Sequence, residues 1–216
     1  MNINTAMLAI GLAAGSLFIS GCESTYYAAM EKVGSHKRDI LVSRVEDANE
    51  SQLEAQEEFQ DALTHLTSLI NFDGAELAQQ YEVSKDHYDA SQAAADDVSE
   101  RIESIESVAD ALFEEWQEEI ELYSNASLKS QSQKQLRSTQ RQYNSVIRAM
   151  RKAESRMFPV LEKLQDNVLF LKHNLNAKAI GALQGEYKNI QRDVQVLIDD
   201  MNTAIEQSNQ FIEQIK

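Results

Sequence analysis

The chain has 216 residues, with one Pro, seven Gly, one Cys and a formal net charge of −15. That much negative charge works against nonspecific nucleic-acid binding, and a single Cys excludes both an intramolecular disulfide and a cysteine metal cluster. Hydrophobic residues make up 43%, enough for a packed core, while the scarcity of Gly and Pro argues for long helices and few loops.

The first element is an apolar run from Ala6 to Ile19. It is shorter than the roughly 20 residues a membrane-spanning helix needs, but it has the length of a signal-peptide core. The n-region, Met1 to Thr5, carries no Lys or Arg. The run ends in Ile19-Ser20-Gly21-Cys22, which resembles the bacterial lipobox: an aliphatic residue, two small residues, then the Cys that is acylated and becomes the new N-terminus. The small residues let the peptidase reach the backbone, and the thiol carries the diacylglyceryl group. Glu23 follows, and by the usual sorting rule the lack of Asp there favours the outer membrane, facing the periplasm. Residues 1–21 are therefore expected to be a cleaved lipoprotein signal peptide, with Cys22 the lipidation site. Several acyl chains hold a protein firmly where one would bind only marginally.

Residues 22–34 read as a membrane-proximal tether, with Tyr26 and Tyr27 suited to the headgroup level. Lys32, His36, Lys37, Arg38 and Arg44 form a basic cluster nearby. Residues 35–216 read as one long-helix bundle. The first helix, about 35–70, has the seam Leu41, Val45, Ala48, Gln52, Ala55, Phe59, Ala62, Leu66, Leu69. Its steps alternate four and three, the heptad rhythm of a coiled coil. Asn71-Phe72-Asp73-Gly74 ends it, with Asp73 placed to cap the next helix and Glu76 as its capping-box partner.

The second helix, about 75–123, keeps the rhythm through Leu77, Tyr81, Ser84, Tyr88, Ser91, Ala95, Val98, Ile102, Ile105, Ala109, Leu112, Trp116, Glu119 and Tyr123. A joint at Tyr123-Ser124-Asn125-Ala126-Ser127-Leu128 separates it from the third, about 127–173, whose seam is Leu136, Thr139, Tyr143, Val146, Met150, Ala153, Met157, Val160, Leu164. Pro159 removes a helix hydrogen bond and is expected to kink or interrupt that helix. Asn174 and Asn176 mark a further turn, with Asn176 as N-cap. The last helix, about 177–216, repeats the rhythm from Leu183 to Ile215. Short connections make sequential helices antiparallel neighbours. The fold class is all-α: an elongated antiparallel four-helix bundle or coiled-coil hairpins. Periodicity leaves open a compact bundle or two hairpins end to end.

Charge changes sign at the joint. Up to Asn125 the chain holds 26 acidic and 6 basic residues; from Ala126 it holds 9 acidic and 14 basic. Two stripes follow the heptad spacing away from the seams: Asp96, Glu100, Glu103, Asp110, Glu114 and Glu121 on the second helix, and Lys134, Arg137, Arg141, Arg148 and Arg151 on the third. These cations are candidate partner-binding residues, as are Phe72, His173 and Leu175 near the tip opposite the membrane.

Nothing marks catalysis. Di-iron bundles need Glu-x-x-His pairs, and the residues three before His36, His65, His87 and His173 are Val33, Ala62, Ser84 and Phe170. There is no metalloprotease helix motif, Gly-rich phosphate loop or nucleophile elbow. No cofactor or metal is called for.

Tyr26-Tyr27-Ala28-Ala29-Met30-Glu31-Lys32-Val33-Gly34, His36-Lys37-Arg38-Asp39-Ile40-Leu41-Val42, Ala111-Leu112-Phe113-Glu114-Glu115-Trp116 and Val168-Leu169-Phe170-Leu171-Lys172-His173-Asn174-Leu175-Asn176-Ala177 resemble the domain of unknown function 2959 family of Gram-negative bacteria. The likeness covers the mature chain and implies no activity, cofactor or catalytic residue. The expectation is a non-enzymatic, lipid-anchored periplasmic protein with a structural or protein-interaction role. Its partners would be the membrane, through acylated Cys22, and another envelope protein or a second copy of itself, with no nucleic acid. The rival is a module holding a small ligand or metal between helices through Gln52, Ser84, Ser91 and Glu119.

Overall fold

A computed structural model of the chain describes residues 37–72, 77–174 and 177–216. They form α1 (Lys37–Ile70), α2 (Leu77–Leu122), α3 (Ala126–His173) and α4 (Ala177–Ile215), with no strand among the described residues. At 1.5 Å per residue, α2 and α3 are each about 70 Å long and α1 is about 50 Å. The packing pairs are α1 with α2, α2 with α3, α3 with α4, and α4 with α1, which closes a ring. This is an up-down-up-down four-helix bundle, and hairpins laid end to end are excluded. The signal, the tether, Asp73 and Asn176 lie outside the described residues.

The heptad seams make the core. All nine seam residues expected on α1 are buried, from Leu41 to Leu69, and so are all nine on α3, from Leu136 to Leu164. Phe59 is fully enclosed, and Phe113 (α2), Tyr143 (α3) and Phe211 (α4) meet across three helices. The seam on α2 is buried at Leu77 and from Ser91 to Leu112, is half-buried at Tyr81, Ser84, Tyr88 and Trp116, and departs from expectation at its end. Phe113 and Ile120 are buried there, while Glu119 and Tyr123 are exposed. A straight helix of 3.6 residues per turn drifts against a strict seven-residue repeat. Over the 46 residues of α2 the drift moves the inward face by one position.

Partly buried polar contacts between α1 and α4 help fix which turn faces which, as polar groups do in coiled coils. Asn49 of α1 donates from Nδ2 to Asn209 Oδ1 of α4 at 3.1 Å. Gln52, fully buried, donates to the Ala48 carbonyl at 3.4 Å. Thr67 Oγ1 and Tyr187 Oη lie 2.9 Å apart further along the same pair.

Pro159 does not interrupt α3, which runs as one helix from Ala126 to His173. Ser155, whose carbonyl would have received the missing N–H, and Pro159 itself are both exposed, so water can take the lost bond. At the joint, Asn125 Oδ1 accepts from the backbone N–H of Ser127 (2.9 Å) and Leu128 (3.2 Å), capping α3.

The ends sort as short connections require. Gln184 Nε2 donates to the Ile70 carbonyl, joining the end of α1 to the start of α4. Lys216 pairs with Glu46 at the other end. Lys37, at the start of α1, pairs with Glu115 at 2.9 Å, and Gln142 faces Gln214 near the end of α4. Past those levels, among the described residues, α2 and α3 continue as a two-helix hairpin to the Tyr123–Asn125 turn. Leu122, Tyr123 and Leu128 are exposed there.

Candidate interaction surface

The charge asymmetry concentrates on one hairpin. Helix α2 carries 14 acidic and 2 basic residues, whereas α3 carries 10 basic and 3 acidic. Their mutual orientation is set by contacts across the α2–α3 groove: Phe113 against Tyr143 (5.3 Å, edge to face), Trp116 Nε1 to Ser132 Oγ (2.9 Å) and Gln165 Nε2 to Tyr88 Oη (3.1 Å).

Arg151 also lies across this groove. Its guanidinium reaches Glu106 of α2 and forks onto both carboxylate oxygens of Glu154 at 2.9 Å. The hydrogen bond that Arg151 donates to Glu106 raises the Arg151 pKa, and burial opposes it. Glu154 is nearly buried, so Arg151 neutralises a carboxylate that has little water. This residue is part of the hairpin's construction.

The other four cations of the stripe differ. Lys134, Arg137, Arg141 and Arg148 are exposed and make no ion pair or hydrogen bond among the described residues. Residues three and four apart share a helix side, so Arg148 and Arg141 continue outward from Arg151. Glu103 and Asp110 bracket Glu106 in the same way on α2. Both stripes thus lie on the outer face of one hairpin, either side of its groove. Among the described residues, five of the six acidic residues carry no ion pair; Glu121 pairs with Lys129 at 2.7 Å.

Further cations are held on the α3–α4 flank. Burial pushes the Asp200 carboxyl up, but hydrogen bonds from Lys152 and Arg156 outweigh it and hold it below the usual carboxylate range. A hydrogen bond from Lys163 lowers Asp193. Burial pushes the Tyr143 phenol up, and the negative charges of Asp110 and Glu106 add to it.

At the opposite end, Phe72 is half-buried against the core. His173 is exposed and lines an open groove of about 530 Å³ with Leu169, Phe170, Asn174 and Leu183. Leu175 and Cys22 lie outside the described residues. Leu169 and Phe170, which the sequence reading did not single out, are exposed apolar residues of this tip. In the basic cluster at the start of α1, Arg38 stacks over Trp116 (5.9 Å) and Arg44 approaches Asp47 (3.9 Å); Lys32 and His36 lie outside the described residues.

The reading also missed a histidine pair. His65 of α1 stacks on His87 of α2, with ring centroids 5.2 Å apart, and His65 Nε2 lies 2.8 Å from Ser84 Oγ. Burial lowers the His65 pKa and the neighbouring His87 lowers it further, against a hydrogen bond that the ring donates to the Gln80 backbone. The space they border is about 20 Å³ and includes Asn167, whose Nδ2 is buried without a partner. That is room for one water molecule. Among the described residues, no group of three or more His, Cys, Asp or Glu is placed to hold a metal ion. No described helix is long and apolar enough to cross a membrane.

These features define an all-α, antiparallel four-helix bundle with an outward-facing charged hairpin. Residues 26–215 match the family described as "Protein of unknown function (DUF2959)", and the chain belongs to that family. Comparison with curated proteins finds none that matches it.

Proposed function

We propose that the protein is a non-enzymatic, lipid-anchored helical rod of the cell envelope with a structural or protein-interaction role. Cys22 would carry the acyl chains at the outer membrane, facing the periplasm, and the bundle would present its charged hairpin to a partner. The observation that carries the interaction role is the row of exposed, unpaired cations Lys134, Arg137, Arg141 and Arg148 in a chain of net charge −15. Anchoring is supported by Ile19-Ser20-Gly21-Cys22.

Ligand binding between the helices has weaker support. Ser84 is engaged by His65, Ser91 Oγ donates to the Glu58 carbonyl, and Glu119 faces solvent.

Photo-crosslinking in the native envelope tests the proposal. A probe at Arg148 is compared with one at Leu53, which is exposed on α1, across the bundle from α3. A defined adduct at Arg148 and none at Leu53 is expected. No adduct at Arg148 would overturn the assignment.

A further inference from the structure

The two stripes differ in sign but share a face and a heptad spacing, and they overlap in height from Glu106 to Glu121. We propose that the outer face of the α2–α3 hairpin pairs with the same face of a second copy, about a two-fold axis parallel to the bundle. The inference rests on the proposed interaction role and names the partner.

The geometry follows from symmetry. A two-fold axis along the rod turns one hairpin to face the other without changing the height of any residue. It places α3 of each copy against α2 of its mate, running antiparallel. The pairing register is therefore the one already present inside each hairpin. There, Phe113 is level with Tyr143 and Glu106 is level with Arg151. Between and beside those levels, Arg148 comes level with Asp110, and Arg141 with Glu114. All four are exposed and without an ion pair among the described residues. The arrangement is isologous, so each contact forms twice.

Other arrangements fit less well. Turning the axis perpendicular to the rod reverses one copy, and the levels no longer match. A face-to-face shift by one helix would set basic against basic. The parallel arrangement also keeps both α1 starts at one end, as two copies anchored in one membrane require. Exposed ion pairs contribute little singly, about 0–1 kcal/mol each, but a repeated set with opposed signs sets partner choice and orientation, as flanking charges do in coiled coils.

The test uses the full-length chain in a nonionic detergent, with mass read by sedimentation. The parent is expected at two chain masses in about 0.05 M salt and at one in 1 M salt, where screening shortens to about 3 Å. Arg141→Glu with Arg148→Glu, and separately Asp110→Arg with Glu114→Arg, should each give one chain mass at low salt. An equal mixture of the two variants should return to two chain masses, because both reversed faces then meet their complements. Cysteines introduced at exposed Ser130, in a Cys22→Ser background, should join copy to copy through a linker of about 15 Å, given interaxial distances of roughly 8–10 Å.

A parent of one chain mass at low salt would overturn the proposal. So would a dimer indifferent to both reversals, or a mixture that stays at one chain mass. Failure of the Ser130 link would overturn the parallel arrangement. Capture of a foreign protein at Arg148, together with a single-chain mass here, would sink self-pairing and leave the interaction role standing.

Discussion

Arg151 and Arg148 lie three residues apart on one helix, yet the structure gives them different work, and that difference is measurable. Arg151→Met keeps most of the aliphatic stem and removes the guanidinium. Its side chain is 34% exposed, so its link to Glu106 is screened and contributes less than about 1 kcal/mol. Glu154 is only 12% exposed at its side chain and loses both of its donor contacts from Arg151. Leaving such a carboxylate without its partner costs about 1–3 kcal/mol. Repositioning of Glu154 toward solvent recovers part of that, so the expected loss is about 1–2 kcal/mol. For a chain of this size it lowers Tm by roughly 3–6 °C. Arg148→Met removes a guanidinium with no ion pair or hydrogen bond among the described residues, and should change stability by no more than about 0.5 kcal/mol. Urea unfolding followed by far-ultraviolet circular dichroism, at dilutions where the chain is single, reads both. Equal effects from the two substitutions would refute the assignment of Arg151 to construction and Arg148 to the free face.

Other expectations come from particular contacts. His65 has a folded pKa below its unfolded value, so the unfolded chain takes up its proton first as pH falls. Stability should be full above about pH 6.5 and decline as the pH falls from there through the folded value. His65→Gln should flatten that slope in unfolding curves, and an unchanged slope would count against the histidine pair as its source. Asn125→Ala removes the acceptor for the Ser127 and Leu128 amides and should cost about 1 kcal/mol. Hydrogen exchange should then quicken in the first turn of α3 and not in α4; uniform quickening would argue against a local cap. In high salt, X-ray scattering should give a radius of gyration of about 20 Å for the bundle, whereas a value near 40 Å would indicate end-to-end hairpins.

The core was legible because burial on a long helix follows spacing alone. The seams of α1 and α3 are buried residue for residue. The end of the α2 seam was not, because a strict heptad ignores the drift that brings Phe113 and Ile120 inward and turns Glu119 out, and Tyr123 lies past the helix end. Contacts between helices depend on register, which spacing within one helix does not contain. Counting outward from the 71–76 connection places His65 opposite Glu82, two residues from its observed partner Ser84. That near match was present and unused. Counting outward from the Tyr123–Asn125 turn sets Glu106 opposite Gln142, while Arg151 is its actual partner. The sequence showed Arg151 and Arg148 as one stripe, and only the packed hairpin separates them. Pro159 reads as a break in the chain and is tolerated because its missing bond faces water.

The central claim is that one end of this rod is fixed to a membrane through Cys22. Intact-mass analysis of the native protein extracted from the envelope tests it most directly. The account expects a chain that starts at Cys22 and carries a diacylglyceryl group on the thiol and a further acyl chain on the amine, with Cys22→Ser abolishing both. A native chain with an unmodified Cys22 thiol would contradict it.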